Sequence, residues 1–595
     1  MNRVLLTTKV IYGSITFVLN FCIGLLTVNT YAPLTEGWWH VYARWIDQGR
    51  VPYKDFELLV TPGFPYITWF FKHLVGEEFL HLRVVGLVFQ AGIALLLFLV
   101  LSKHVSRLTS AGLATLGTTL LYSGTATISF DYNYFAVFFA ILSVYFLQQD
   151  YSKKDIYLYL SGLSVAGVFL IKQSTGLCLV FFILLIPFFD RSFMGFTKVR
   201  LWLKFIVGFL IPLTLVSIAL IIHGAFMQMV ESVFINSSGV KGGLATVLTQ
   251  WIKGIYEPFS FGYATRHIFV LVILVFIFMQ IAKGKNTPFS FNKIIVAFML
   301  IVGLFIAGET VRSRFSSSEN VFKNFLEDVY TRVSPYIYLE PLLLILLILF
   351  WVQRNRKYEW LPVLMLALSI TYSTGMSAGL TEYGIFVNIL VVGAWLDHYL
   401  NLKILSYLMV IFSLLVSASM VLKKFETPYS WWGYEISPIY QNSFKSHTGL
   451  TTGLHYDEIQ MRNFLNIKEI TESVNRCNDE VLTFPNIPYF NLELNSLPVA
   501  RSAVFWFDFS TQNTINAYLN QNKVNPGIIL YIEYPRDVFD MHKNLFNLGK
   551  ISAQEKVLEY IQSISSEYRW SMYNINSSSS DPLILHLGIL ECEDS

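Results

Sequence analysis

About thirteen apolar runs, each near the length of one bilayer crossing, are strung along the first 425 residues of the chain. No feature constrains the fold more. In hydrocarbon every backbone N–H and C=O must be bonded inside its own segment, so runs of this length cross as α-helices. They fall at 10–30, 82–102, 108–127, 133–148, 156–171, 174–189, 201–223, 267–283, 292–309, 336–353, 361–379, 382–397 and 403–422. The 595 residues are 54% hydrophobic and 14% charged, against about 25% charged in ordinary soluble domains. A net charge of +3 decides little, because membrane proteins sort charge by side. The first run is too long for the core of a cleavable signal and lacks a small-residue cleavage site, so it is expected to be retained.

Charge placement orients the spans. With the N-terminus inside, "SKHVSR" (102–107), "DYSKKD" (150–155), "DRSFMGFTKVR" (190–200), "AKGKN" (282–286), "QRNRKYE" (353–359) and "DHYLNLK" (397–403) are cytoplasmic, short and mostly basic, as the positive-inside rule requires. The opposite connections are longer, as at 31–81, 224–266 and 310–335, or are hairpin tips. The apolar stretch 58–75 is broken by Pro62 and Pro65 and is expected to lie at the interface rather than cross. An odd number of spans puts the tail from about 425 outside.

That tail is a different material. Residues 456–474 and 552–564 carry helical spacing, while "EVLTFP" (480–485) and "GIILYIEYP" (527–535) read as strands. The expected fold is a polytopic α-helical membrane region, 1–424, followed by a small extracytoplasmic α/β domain, 425–595. Cys22 and Cys178 lie in apolar runs and read as packing residues. Cys477 and Cys592 fall in the tail, where an oxidising compartment permits a disulfide.

Chemistry concentrates in "YAPLTEGWWHVYARWIDQGRVPYKDF" (31–56), which follows the first span directly. Trp38, Trp39, Tyr42, Trp45 and Ile46 share one face of a helix, with His40, Arg44 and Gln48 on another. The expectation is an amphipathic helix on the outer leaflet, its tryptophans at headgroup level. Glu36 is placed at its first turn, where the N-terminal partial charge favours a carboxylate, and Gly49 is placed at its end. "VPYKDFE" (51–57) then returns as an extended segment.

This stretch resembles the first outer loop of the GT-C superfamily of membrane glycosyltransferases, whose relatives include protein O-mannosyltransferases and lipid A aminoarabinose transferases. Those loops open on Asp or Glu, run into an aromatic-rich helix and Gly, and continue as "PY-[RK]-DF". "FDYNYFAVFFAILSVYFL" (130–147) and "GLSVAGVFLIKQSTGL" (162–177) are similar to the second outer tip and to the Gly-rich helix and "KQ-x-x-G" turn of such relatives. The chain departs from them in having Glu where many have Asp. It also has "VTPG" (60–63) where several have a basic residue before paired prolines. The phosphate-binding Lys of those relatives is therefore missing at that position.

The resemblance implies transfer of a monosaccharide from a polyprenyl-phosphate donor to an acceptor hydroxyl of a glycolipid, envelope glycan or protein, with inversion. A carboxylate takes the hydroxyl proton, and cations stabilise the leaving phosphate. Glu36 is the expected base and Asp131 the second acid. Asp55 binds sugar or folds the loop, the latter preferred. Candidates for the donor phosphate are Lys172, Arg266, Arg312, Arg314 and Arg332, with Tyr53, Tyr336 and Tyr338 as hydrogen-bond donors. The acids are scattered, with no "D-x-D" and no His cluster, so catalysis without a metal or other cofactor is expected, although some of the superfamily use a divalent ion. Membrane lipids are expected partners and nucleic acid is not. The expected location is a bacterial cytoplasmic membrane. A polysaccharide polymerase or ligase, and a transporter of lipid-linked glycan, are the competing readings. The early acidic loop and outer tail disfavour the first, and the lack of evident broken helices or internal symmetry disfavours the second.

Overall fold

The computed structural model describes residues 2–122, 128–149, 156–189, 196–256, 361–375, 403–431, 434–447, 449–473, 478–496, 498–507, 509–521, 525–546, 552–575 and 583–590. Nine of the expected spans fall on described helices. These are α1 (Asn2–Leu25), α4 (Phe79–Leu101), α5 (Arg107–Tyr122), α6 (Tyr132–Leu147), α7 (Ile156–Ile171), α8 (Gln173–Phe189), α9 (Phe196–Ile222), α11 (Leu361–Gly375) and α12 (Lys403–Glu426). The runs 267–283, 292–309, 336–353 and 382–397 lie outside the described residues.

Among the described residues, four helical stretches are long and apolar enough to cross a bilayer: Thr7–Leu25, Phe79–Leu101, Trp202–Ile222 and Ser406–Glu426. The apolar helices Tyr132–Leu147 and Ile156–Ile171 are shorter. Their length of roughly 24 Å is below the hydrocarbon thickness of about 30 Å. Three of the long helices leave apolar side chains uncovered: Val10 and Ile15 on α1, Leu215 and Ile218 on α9, and Leu408 and Ile411 on α12. Such faces suit lipid contact.

The helices pack as neighbours in sequence: α1 on α4 and α5, α4 on α5 and α6, α6 on α7, and α7 on α8 and α9. The long return is α12, which packs on α5. Helices α7 and α9 approach through a reciprocal pair of glycines. A Cβ on Gly162 would meet the Phe205 carbonyl, and one on Gly208 would meet that of Tyr159. Small residues of this kind let backbones close up where no hydrophobic force draws helices together.

Two helices sit between α1 and α4: α2 (Trp38–Asp47) and α3 (Gly63–Val75). Helix α3 occupies the stretch expected to be interfacial. Its 13 residues rise only about 20 Å, too little to cross. Pro65 lies in its first turn, where a missing N–H costs nothing. Phe64 and Thr68 are buried while Tyr66, Phe70 and Leu74 are exposed, so one face packs inward and the other is apolar and open.

Beyond α12 the chain forms a mixed sheet. Strands β1 (Val481–Phe484), β2 (Ile528–Glu533), β3 (Tyr568–Asn574) and β4 (Ile584–Leu590) stand in the order β1-β2-β4-β3. Strands β1 and β2 are parallel, with Val481 opposite Ile528, and the β2–β4 and β3–β4 pairs are antiparallel. All four residues of β1 are buried, which marks a strand covered on both faces. Edge strand β3 is largely open. Helices run at Glu458–Ser473, Gln512–Gln521, Arg536–Phe546 and Ala553–Ser563. Ser552 and Glu555 form a capping box on the last of these. Both stretches expected to be strands are strands. Cys477 and Cys592 lie outside the described residues, and among those described neither Cys22 nor Cys178 is in a disulfide.

Candidate active site

The loop that follows α1 is held on both sides. Its entry bonds to the tail: Tyr31 N donates to His455 O at 3.3 Å, and His455 N donates to Asn29 O at 2.7 Å. Its return also bonds to the tail. Thr511 donates from its backbone N to Glu57 Oε2 at 3.0 Å and from its hydroxyl to Oε1 at 2.5 Å. Arg501 Nε donates to Asp55 O at 3.2 Å. On the membrane side, Thr61 Oγ1 donates to Phe169 O at 2.6 Å and Gln173 Nε2 to Leu59 O at 3.0 Å.

Helix α2 is therefore sandwiched, which corrects the expectation that it lies on the outer leaflet. Trp38, Trp39, Tyr42 and Trp45 are all buried in protein. Trp38 meets Phe509 edge-on at 4.8 Å and Trp431 at 5.8 Å, both from the tail. Trp39 meets Phe64 at 5.0 Å and Tyr132 at 5.2 Å. The expected polar face is covered as well. His40 is buried edge-on to Phe79 at 4.5 Å, and burial drops its pKa to about 3, so the ring is neutral. Arg44 Nη1 donates to Leu492 O at 3.2 Å. Amphipathic spacing marks a face to be buried, and here the tail supplies the cover instead of lipid. Gly49 ends the helix with φ 75°.

Glu36 is not in the first turn of α2. Gly37 occupies the N-cap with φ 97°, and Glu36 lies before it. Its carboxylate is 2% exposed and faces Arg83 of α4. Arg83 Nε donates to Oε1 at 2.7 Å and Nη2 to Oε2 at 2.5 Å. Arg83 Nη1 donates to Val28 O at 2.7 Å and also to Thr30 O. A two-pronged bond of this type matches guanidinium to carboxylate, and only such geometry repays taking two charges out of water. Burial pushes the Glu36 carboxyl above its ordinary range while Arg83 draws it back.

Asp131 caps α6. Its Oδ1 accepts from Asn133 N at 2.8 Å, and hydrogen bonds from both the backbone and the side chain of Asn133 favour its charged form. Burial raises its pKa to about 6 against the pull of Asn133 and Lys172. Lys172, on the turn between α7 and α8, is buried. Its Nζ donates to Asn133 Oδ1 at 2.8 Å and stands 5.5 Å from the Tyr132 ring centre. Burial lowers the Lys172 pKa to about 8, opposed by Asp131. Two contacts join this station to the Glu36 station: Trp39 on Tyr132, and Ser129 Oγ donating to Arg83 O at 2.8 Å.

Asp55 and Tyr53 hold the loop itself. Val51 N donates to Asp55 Oδ2 at 2.7 Å, and the Tyr53 hydroxyl donates to Val60 O at 2.8 Å. Arg266, Arg312, Arg314, Arg332, Tyr336 and Tyr338 lie outside the described residues. Among the described residues no cluster of three or more His, Cys, Asp or Glu could hold a metal ion. Sequence reasoning missed Arg83, which sat inside an expected span. The available signal was an arginine in an apolar run, which is costly unless partnered.

No family model matches the sequence, and a search of curated proteins found no match. Among solved structures, the chain is similar to the archaeal oligosaccharyltransferase AglB from Archaeoglobus fulgidus in complex with an inhibitory peptide and a dolichol-phosphate. Identity is 12% with a TM-score of 0.44, covering 88% of this chain and 69% of the other. It is also similar to ArnT from Cupriavidus metallidurans bound to undecaprenyl phosphate, at 10% identity and a TM-score of 0.40 over 97% of each chain.

Proposed function

We propose that the chain is a membrane glycosyltransferase that moves a monosaccharide from a polyprenyl-phosphate donor to an acceptor hydroxyl at the outer face of a bacterial cytoplasmic membrane. In this reading residues 1–424 span the membrane with the N-terminus inside, and 425–595 form an extracytoplasmic domain over the first outer loop. The observation that carries it is the pair of carboxylate stations, Glu36 with Arg83 and Asp131 with Lys172, joined under one loop.

The two acids take different parts. Both Glu36 oxygens accept from Arg83, so Glu36 is a poor proton acceptor and serves as a positioning residue. Asp131 is held by Asn133 rather than by an arginine and has a pKa of about 6, which suits a base at neutral pH. This moves the base from Glu36, the expectation from sequence, to Asp131. The acceptor oxygen gives its proton to the Asp131 carboxylate and bonds to the anomeric carbon. The bond from that carbon to the phosphate oxygen breaks on the opposite face, and the phosphate leaves with the electron pair. Lys172, whose charge acts on Asp131, offsets the phosphate charge while it is protonated, below about 8. The reaction as proposed is metal-independent.

The test is turnover of a polyprenyl-phosphate sugar by the full chain in nanodiscs, followed across pH. Asp131 must be ionised and Lys172 charged, so turnover rises through about pH 6 and falls through about pH 8; the limbs belong to the coupled pair. Asp131→Asn loses roughly 10²–10⁴-fold in turnover and the acid limb with it, while Glu36→Gln lowers turnover and keeps that limb. An acid limb that survives Asp131→Asn and vanishes in Glu36→Gln returns the base role to Glu36. Wild-type turnover in both variants overturns the proposal.

A further inference from the structure

Asn133 stands between the two ionisable groups of the Asp131 station. It is the second residue of α6 and is buried, and its amide reaches both partners. Lys172 Nζ donates to Asn133 Oδ1 at 2.8 Å. An ammonium has three donors and no acceptor, so the oxygen end of the amide is fixed at the lysine. The other end is then an NH2, which can only donate, and it bonds to the Asp131 carboxylate. The Asn133 backbone N donates to the same group, to Oδ1 at 2.8 Å. One short side chain thus ties the acid to the cation.

Each end of this amide favours one charge state. A carboxylate is a stronger acceptor than a carboxyl, and an ammonium is a stronger donor than an amine. Hydrogen bonding to a charged form favours that form. Burial acts the other way on both groups: it raises Asp131 to about 6 and lowers Lys172 to about 8. The amide therefore opposes burial at both ends at once. The other charges around the station do not depend on it. The Tyr132 ring stands 5.5 Å from Lys172 Nζ. Lys241, on the turn before the helix Leu244–Tyr256, acts on Lys172 and lowers it. Arg83 and Glu36, linked to the station through Ser129, bond to each other.

We propose that Asn133 is a positioning residue that holds Asp131 as a carboxylate and Lys172 as an ammonium at the same pH. Its consequence for turnover rests on the reading of Asp131 as the base; the charge states themselves do not. Without the amide, burial drives the pair toward a neutral acid and a neutral amine, and the pH range in which both are charged shrinks from its two sides.

The test uses the full chain in nanodiscs with two readouts: the pH profile of turnover, and the infrared carboxyl band that Asp131→Asn removes, followed across pH with no substrate present. Asn133→Leu keeps the branched shape and has neither end of the amide. A hydrogen bond to an ionised group is strong enough to move a titration by about one pH unit. In Asn133→Leu the infrared band is expected to titrate about one pH unit above wild type. The acid limb of turnover moves up with it and the basic limb moves down by about as much, so the bell narrows from both sides. Asn133→Asp keeps an acceptor for Lys172 and adds a negative charge beside Asp131, so both limbs are expected to move up. A purely structural role would lower turnover without driving the two limbs in opposite directions. An infrared band at its wild-type pH in Asn133→Leu overturns the proposal; if that variant does not fold, unmoved limbs and band in Asn133→Asp do so. Wild-type turnover in Asp131→Asn overturns the base assignment instead, and the infrared titration still decides what Asn133 does.

Discussion

Arg83 and Glu36 set the terms at the residue scale. The pair is 2% exposed on each side, so removing one partner strands a charge away from water. Arg83→Met is expected to destabilise the fold by about 3–5 kcal/mol, the usual cost of an uncompensated buried charge. The double variant Arg83→Met with Glu36→Gln is expected to recover much of that loss. Thermal unfolding in a fixed detergent measures both, and an unchanged midpoint for Arg83→Met alone contradicts the pairing. Half of this pair was legible in the sequence. Glu36 follows a membrane exit and opens a loop, so its position alone made it a candidate, as did that of Asp131 at the second outer tip. Arg83 lies 47 positions from Glu36 inside an apolar run, where one cation near a span end reads as snorkelling. Pairing across that separation has no local signature.

Helix α2 carries the same lesson at the scale of the element. Its apolar spacing and its glycine stop were plain from residues 36–49, and a helix formed there. What covers its two faces was not plain, because part of the cover on each comes from the tail, from Phe509, Trp431 and Leu492, more than 380 positions away. Periodicity states that a face will be buried and is silent on what buries it. The start of the helix depends on Gly37. At φ 97° a residue with a Cβ pays about 1–2 kcal/mol. A Cβ there would also stand 2.9 Å from the Tyr489 backbone N. Gly37→Ala is expected to push the tail off the entry of the loop and to disturb the neighbouring Glu36. Limited proteolysis of the variant should cut within 31–62 faster than in wild type. Equal cleavage rates would mean that the contact with Tyr489 is not a constraint.

At the scale of the molecule, loop and tail are bonded to each other, and Glu57 shows how. It supplies both acceptors to Thr511, whose neighbour Gln512 begins a helix. Thr511 is the local cap of that helix, its Oγ1 accepting from Thr514 N at 3.2 Å, and the side chain that holds this cap in place comes from a loop more than 450 positions away. Neither a spacing rule nor a motif connects these residues, which is why the sequence divides cleanly at 425 while the contacts do not. Glu57→Gln replaces one acceptor by a donor and leaves a Thr511 donor unmatched, at a cost of about 1–3 kcal/mol; Thr511→Val removes only the hydroxyl. If the two segments share one unfolding unit, hydrogen exchange should accelerate together in 31–62 and in 509–521 for either variant. The double variant should then cost less than the two singles summed, by roughly 0.5–3 kcal/mol, as for residues in direct contact. Acceleration confined to the tail would mean that the loop holds its acids without help. The tail would then be an attachment to the candidate site rather than its wall.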